Sequence, residues 1–144
     1  MTAAPSTDLL VVPHFAAHDA SDVDLALRGH GDRVDLQTVA DRKNLAQALV
    51  LRLLTPRGSL AALGHAAYGS RLHELVGREK TGAVRHLCRV FVLEAVAQEP
   101  RVESEAVAFA FRPDEEGPSS IAFTLSVRPR GGAGPVALDL EVGV

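Results

Sequence analysis

The chain has 144 residues, a length that forms one domain and folds without disulfides or a structural metal. Its apolar content is 47% and its aromatic content 4%, so Leu, Val and Ala must fill the core, with Phe15, Phe91, Phe109, Phe111 and Phe123 as the few large residues. The net charge of −3 excludes the strongly basic surface that nucleic-acid binding needs, and no apolar run reaches the ~20 residues of a membrane span.

Charge is segregated along the chain. Residues 1–27 hold four acids and no base, residues 28–101 hold twelve Lys or Arg against seven acids, and residues 102–144 hold three bases against seven acids. Such segregation favours steered docking to protein partners, and a plainly solvated charged surface accounts for it equally well. The one cysteine, Cys88, excludes an internal disulfide and suits a reducing cytoplasm. Its apolar helical surroundings mark a buried thiol rather than a nucleophile.

Residues 1–22 read as an N-terminal extension to a single domain over residues 23–144. Within the extension only residues 9–12 have strand character, and that run is too short for the core of a secretory signal. Val23, Leu25 and Leu27 alternate with Asp24, Ala26 and Arg28. Residues 29–32 supply a turn and Val34 and Leu36 resume the alternation, which predicts a hairpin. Asp41 is placed to cap a helix over residues 41–54. Its apolar face combines Leu45, Ala48, Leu49 and Leu53 with Ala46, Val50 and Leu54, its wet side is Arg42, Lys43 and Gln47, and Pro56 ends it. After a Gly-punctuated stretch, Ser70 is placed to cap a short helix over residues 70–76.

Thr81 predicts the start of a long helix running to about Gln98. Val84, Leu87, Cys88, Phe91, Val92, Ala95 and Val96 follow the i, i+3, i+4, i+7 rule, and Val90 and Leu93 widen that face enough to predict cover on more than one side. The period then switches to two. Val107, Phe109 and Phe111 line one face of a strand, as do Ile121, Phe123, Leu125 and Val127, and then Val136, Leu138, Leu140 and Val142. The expected fold is α+β: two main helices and a short one packed on an antiparallel sheet that ends in a three-stranded meander. The last strand is expected at an edge of that sheet.

No phosphate loop, G-x-S-x-G elbow or H-E-x-x-H motif occurs. His14 and His18 have the i, i+4 spacing of a metal pair but follow Pro13 and lack a third ligand, so no metal or other cofactor is expected. Glu94 and Glu99 flank a conspicuous motif, yet neither forms a recognisable glycosidase pair, and no catalytic residue is assigned. The motif itself, Glu99-Pro100-Arg101, has two readings. Pro100 breaks the helix and stiffens the corner, so both charges would project toward a partner. Alternatively, the motif is a simple helix-to-strand corner closed by an internal contact between Glu99 and Arg101.

Residues 44–54 followed by Thr55-Pro56-Arg57-Gly58 form a helix and a "TP-x-G" turn. Tyr68-Gly69-Ser70-Arg71-Leu72 with Glu74-Leu75 forms a "YGS-L-x-x-L" stretch, and Glu99-Pro100-Arg101-Val102 an "EPR" corner. In this order, over residues 41–130, they resemble the GPW-type, lysozyme-related baseplate wedge family. That family occurs in contractile phages, type VI secretion systems and extracellular contractile injection systems, and its members are structural despite the lysozyme label.

The resemblance implies a structural baseplate wedge subunit, made in the cytoplasm and carried in multiple copies in a symmetric contractile particle. Its implied partners are other wedge subunits and the sheath protein. The implied wedge contact is Glu99, Pro100 and Arg101, with Thr55, Pro56, Gly58, Tyr68 and Gly69 as structural motif residues. Strand exchange with the first sheath ring is implied as well, and Val136, Leu138, Asp139, Leu140 and Glu141 form the strand expected to take part. An open edge can accept an incoming strand, and acidic Asp139 and Glu141 then select a basic or polar one; equally, the two acids can blunt the edge against pairing. The lysozyme label leaves a cell-wall glycoside hydrolase as the alternative, and a free-standing protein-binding adaptor is a third reading.

Overall fold

The computed structural model describes residues 7–9, 11–13, 23–25, 27–30, 32–36, 38–132 and 134–144. Three short antiparallel ladders precede the first helix. Strand β1 (Thr7–Leu9) pairs with β6 (Thr38–Ala40), β2 (Val11–Pro13) with β3 (Val23–Leu25), and β4 (Leu27–His30) with β5 (Arg33–Leu36). The hairpin expected around residues 29–32 is formed by β4 and β5, with Gly29 opposite Val34. The single strand expected through Val23, Leu25 and Leu27 is split, since Val23 and Leu25 lie in β3 and pair with β2. The single strand expected over residues 9–12 is instead two, because β1 and β2 answer to different partners. Strands of the N-terminal extension thus pair with strands beyond residue 22. His14 and His18 lie outside the described residues.

Helix α1 (Asp41–Leu54) buries Leu45, Leu49 and Leu53 at i, i+4, i+8, together with Asn44. Asp41 does not cap it. The cap position falls on Ala40, because β6 holds Ala40 extended opposite Thr7 and runs straight into the helix. Asp41 is instead the first helical residue, at φ 54, a left-handed conformation that Asp tolerates better than most side chains. Two 3-10 turns follow, Ala61–Leu63 and Leu72–Leu75. The second replaces the short helix expected over residues 70–76; the Ser70 hydroxyl accepts from the Leu72 N–H at 3.3 Å but sits one residue before the cap position.

Helix α2 (Gly82–Ala97) starts where Thr81 places it, with the Thr81 hydroxyl accepting from the Val84 N–H at 3.3 Å. A cap of this kind is worth about 1 kcal/mol. Val84, Cys88, Phe91, Val92, Ala95 and Val96 are buried as the helical period requires, and burial pushes the Cys88 thiol up to about 12. The wider face expected from Val90 and Leu93 holds in part: Val90 is 41% exposed, whereas Leu93 is half-buried.

The C-terminal meander has the order β7 (Ala108–Phe111), β8 (Ser120–Val127), β9 (Val136–Gly143). Its inner face presents Ile121, Phe123, Leu125 and Val127 from the central strand to α1 and α2. Phe109 stacks on Phe123 at 4.9 Å, and Phe111 meets Phe109 edge-on at the same separation. Fully burying a side chain such as Phe123, Leu49 or Leu75 stabilises the fold by about 1.5–3 kcal/mol. The architecture is therefore α+β, as expected. No helix among the described residues is long and apolar enough to cross a membrane.

Candidate functional site

The motifs singled out in the sequence meet in space. Thr55 leaves α1 extended, and the next residues form a parallel bridge to the Tyr68-Gly69-Ser70 segment. The Ser70 N–H donates to the Thr55 carbonyl at 2.8 Å, and the Arg57 N–H donates to the Ser70 carbonyl at 2.9 Å. The buried Ser70 hydroxyl donates to the Leu53 carbonyl at 2.5 Å, satisfying one of the orphan acceptors at the end of α1. Gly69 makes this approach possible. Its φ is +106, and a Cβ there would lie 2.3 Å from the Thr55 carbonyl oxygen. Gly58 turns the loop at φ +90.

Tyr68 carries the bridge to the Glu99 corner. The Arg52 guanidinium lies 4.6 Å over the Tyr68 ring, and its Nη2 is 3.6 Å from Glu99 Oε2. Arg101 forks onto the same carboxylate, with Nε donating to Oε1 at 2.7 Å and Nη2 to Oε2 at 3.2 Å. Burial pushes the Glu99 carboxyl up, but the Arg101 hydrogen bonds and the charges of Arg101 and Arg52 outweigh it, and the net shift is downward. The Tyr68 hydroxyl is pushed up by burial.

The two charges of the corner therefore differ in kind. The Glu99 side chain is 4% exposed and faces inward; Arg101 is 39% exposed. The expectation that both project is corrected, and the arrangement is the internal contact. Glu99 lies three residues after Val96 and four after Ala95, so one further turn carries it onto the buried face of α2. Pro100 is exposed at the tip. Beyond it the Arg130 N–H donates to the Arg101 carbonyl at 2.8 Å, and the Glu103 N–H to the Arg128 carbonyl at 2.9 Å, which fastens the corner to the end of β8. On the other side Arg57 pairs with Glu94, and with its amide turned over Gln98 donates to the Ala67 carbonyl and accepts from Arg57 Nη2, each at 3.0 Å.

Arg52 and Glu116 were missed in the sequence. Arg52 sits three residues after Leu49 and seven after Leu45, which aligns it with the buried face of α1; that spacing could have identified it. Glu116 follows the 3-10 turn Pro113–Glu115 and gives no local signal. Its side chain is 3% exposed, and Arg85 forks onto it at 2.6 and 2.5 Å, with Lys80 at 2.9 Å. The Arg85 hydrogen bonds, reinforced by Lys80 and the Ala122 N–H, lower the carboxyl to about 2 against the cost of desolvation.

The last strand divides in two. Val136 and Leu140 are buried and Leu138 half-buried on the core face, so these three side chains belong to the core. Asp139 and Glu141 are exposed on the opposite face. Asp139 accepts from the Thr124 hydroxyl at 2.6 Å and lies 3.1 Å from Arg112 Nη1, and Glu141 accepts from the Ser120 hydroxyl. The backbone has its own phase. The Val144 N–H donates to the Ser119 carbonyl at 3.0 Å, so in this register Val142, Leu140, Leu138 and Val136 bond to β8. Ala137, Asp139, Glu141 and Gly143 then turn their N–H and C=O groups to the outer edge, where no strand pairs among the described residues.

No family model and no curated protein matches the chain. A solved structure does. The fold is similar to the crystal structure of a "putative tail lysozyme" from Geobacter sulfurreducens, with a TM-score of 0.59 and 20% identity over 71% of this chain and 89% of that one. At that identity the likeness is one of fold.

Proposed function

We propose that the chain is a structural baseplate wedge subunit of a contractile, phage-tail-like injection system, joining the wedge core to the first sheath ring. The main support is convergence. The Thr55-Pro56-Arg57-Gly58 turn, the Tyr68-Gly69-Ser70 segment and the Glu99-Pro100-Arg101 corner lie far apart in sequence yet build one knot. The fold likeness to a protein named as a tail lysozyme is in keeping with this reading. In it, Arg101 and Pro100 form the wedge contact while Glu99, Arg52 and Tyr68 position Arg101. The sheath contact is the outer backbone edge of β9, offered by Ala137, Asp139, Glu141 and Gly143. The subunit is made in the cytoplasm and leaves in the assembled particle.

The competing reading, a cell-wall glycoside hydrolase, takes its support from the word lysozyme in the neighbour's name. A hydrolase of that kind needs one carboxyl kept protonated by its surroundings. Glu99 and Glu116 are held in the opposite state by arginines, and Glu94 is paired with Arg57. We therefore assign no catalytic activity. The chain, affinity-tagged in its native host, is expected to co-purify a symmetric multi-subunit particle visible by electron microscopy, and to leave peptidoglycan suspensions turbid. Recovery only as a free chain, or clearing that Glu94→Gln or Glu99→Gln abolishes, contradicts the proposal.

A further inference from the structure

Strand β7 is the other edge of the meander, and its backbone has a fixed phase. The Arg112 N–H donates to the Ala122 carbonyl at 2.8 Å, so in this register Arg112, Ala110 and Ala108 bond inward to β8. Phe109 and Phe111 then turn their N–H and C=O groups to the outer edge, where no strand pairs among the described residues. Natural sheets protect such edges with charge, proline, a bulge or a short strand. Of these β7 has only shortness: its residues are Ala108-Phe109-Ala110-Phe111, and its ladder to β8 runs without a break. The edge of β9, by contrast, carries Asp139 and Glu141. We propose that β7 accepts a β-strand of a partner chain along this edge, one that sets apolar residues beside Phe109 and Phe111 and a carboxylate beneath Arg89.

The open groups themselves select a strand. They are backbone donors and acceptors spaced two residues apart in a line, and an extended chain matches that spacing. The aromatic pair selects what the strand carries on its inner face. Phe109 and Phe111 point to the core side of the sheet yet stay half-buried, because no strand lies beyond β7. An added strand would bring alternate side chains directly beside those rings. The roof over the rings selects the charge. Arg85 and Arg89 of α2 lie over Phe111 and Phe109 at 5.5 and 5.9 Å. Arg85 is neutralised by Glu116, whereas Arg89 is exposed and has no carboxylate partner among the described residues. A second copy of this chain could offer its own β7, but it would bring another Arg85 and Arg89 and no carboxylate beneath that roof. A different chain, with an acid on the side that faces the rings, is therefore the better occupant.

This inference goes beyond the wedge reading and does not rest on it, because the test detects whatever partner the native host supplies. A photo-crosslinking benzoylphenylalanine is placed at Ala110, exposed on the outer face of β7, in the full chain in that host. Val76, 69% exposed and outside the sheet, is the control position. The expected product joins position 110 to one segment of another protein, with apolar residues at alternate positions and Asp or Glu in the same register. A synthetic peptide of that segment is then added to the purified full chain, and amide exchange is followed by NMR. In the free chain the Phe109 and Phe111 amides should exchange fast and the Ala110 amide slowly. With the peptide bound, Phe109 and Phe111 should slow by about tenfold or more, a change that docking through side chains alone would not produce. Arg89→Glu should weaken the peptide, and reversal of the facing peptide carboxylate to Lys should restore it. The proposal is overturned by a segment without that pattern, by a cross-link to a second copy or none above the Val76 control, by a peptide that leaves the Phe109 and Phe111 amides fast, or by an affinity that Arg89→Glu leaves unchanged.

Discussion

Gly69 lies against Thr55 so closely that a Cβ on Gly69 would sit 2.3 Å from the Thr55 carbonyl oxygen. The contact is between backbones, so no side-chain rotation relieves it. Gly69→Ala therefore combines strain at a φ of +106 with a steric clash, and we expect a loss of about 2–4 kcal/mol in urea unfolding. Gly64→Ala is the control. It has positive φ but nothing within 4 Å of the added Cβ, and should lose only about 1–2 kcal/mol. Equal losses at the two sites would show that the clash is relaxed elsewhere.

The Glu99 corner separates stability from docking. Glu99→Ala leaves Arg52 and Arg101 facing an empty, buried site, and its removal should cost about 3–5 kcal/mol. Arg101→Ala takes both side-chain hydrogen bonds from the buried Glu99 and leaves Arg52 3.6 Å away, so it should cost about 1.5–3 kcal/mol, less than Glu99→Ala. In particles, however, Arg101→Ala should block baseplate assembly. Thermal melts of the isolated chain together with particle counts check both halves; normal assembly by a folded Arg101→Ala chain would confine the corner to a structural role.

Stability should fall in acid through Glu116. Its carboxyl is lowered from 4.5 to about 2 in the fold, so the unfolded chain takes up the proton first. The stabilisation is complete above pH 4.5 and is lost as pH falls toward 2. The melting-temperature gap between the wild type and Glu116→Gln should be widest at neutral pH and close over that window. A gap that stays constant across it would mean that the Arg85 and Lys80 contacts do not act through the charge.

The phase of β9 distinguishes two proline substitutions. Leu140 bonds inward to β8, so Leu140→Pro removes a ladder donor and should cost about 3 kcal/mol or more. Ala137 turns its N–H outward, so Ala137→Pro should melt within a few degrees of wild type yet give baseplates without sheath. Sheaths of normal length on Ala137→Pro baseplates would remove the strand-docking role.

Much of the fold was legible because local chemistry and tertiary packing agree there. Thr81 with the run from Val84 to Val96 gave α2, and strict alternation in Ile121, Phe123, Leu125 and Val127 gave the central strand. Asp41 misled because the start of α1 is set by the pairing of Ala40 with Thr7, a contact between strands 33 residues apart. The site was legible as motifs but not as geometry. Nothing local shows that the Thr55 turn and Gly69 touch, or that Arg52 reaches Glu99. Yet both Arg52 and Glu99 fall on the apolar period of their helices, and charges in such positions are the ones expected to find each other inside. Glu116 had no comparable sign, since its partners Lys80 and Arg85 come from another part of the chain.

The central claim is that this chain is a structural part of a contractile particle. The most direct test deletes its coding sequence in the native host and counts sheathed particles by negative-stain electron microscopy, with the wild-type chain restored from a plasmid as control. The account requires sheathed particles to disappear on deletion and to return with the wild-type chain. Sheathed, contracting particles in normal numbers without the chain would contradict it.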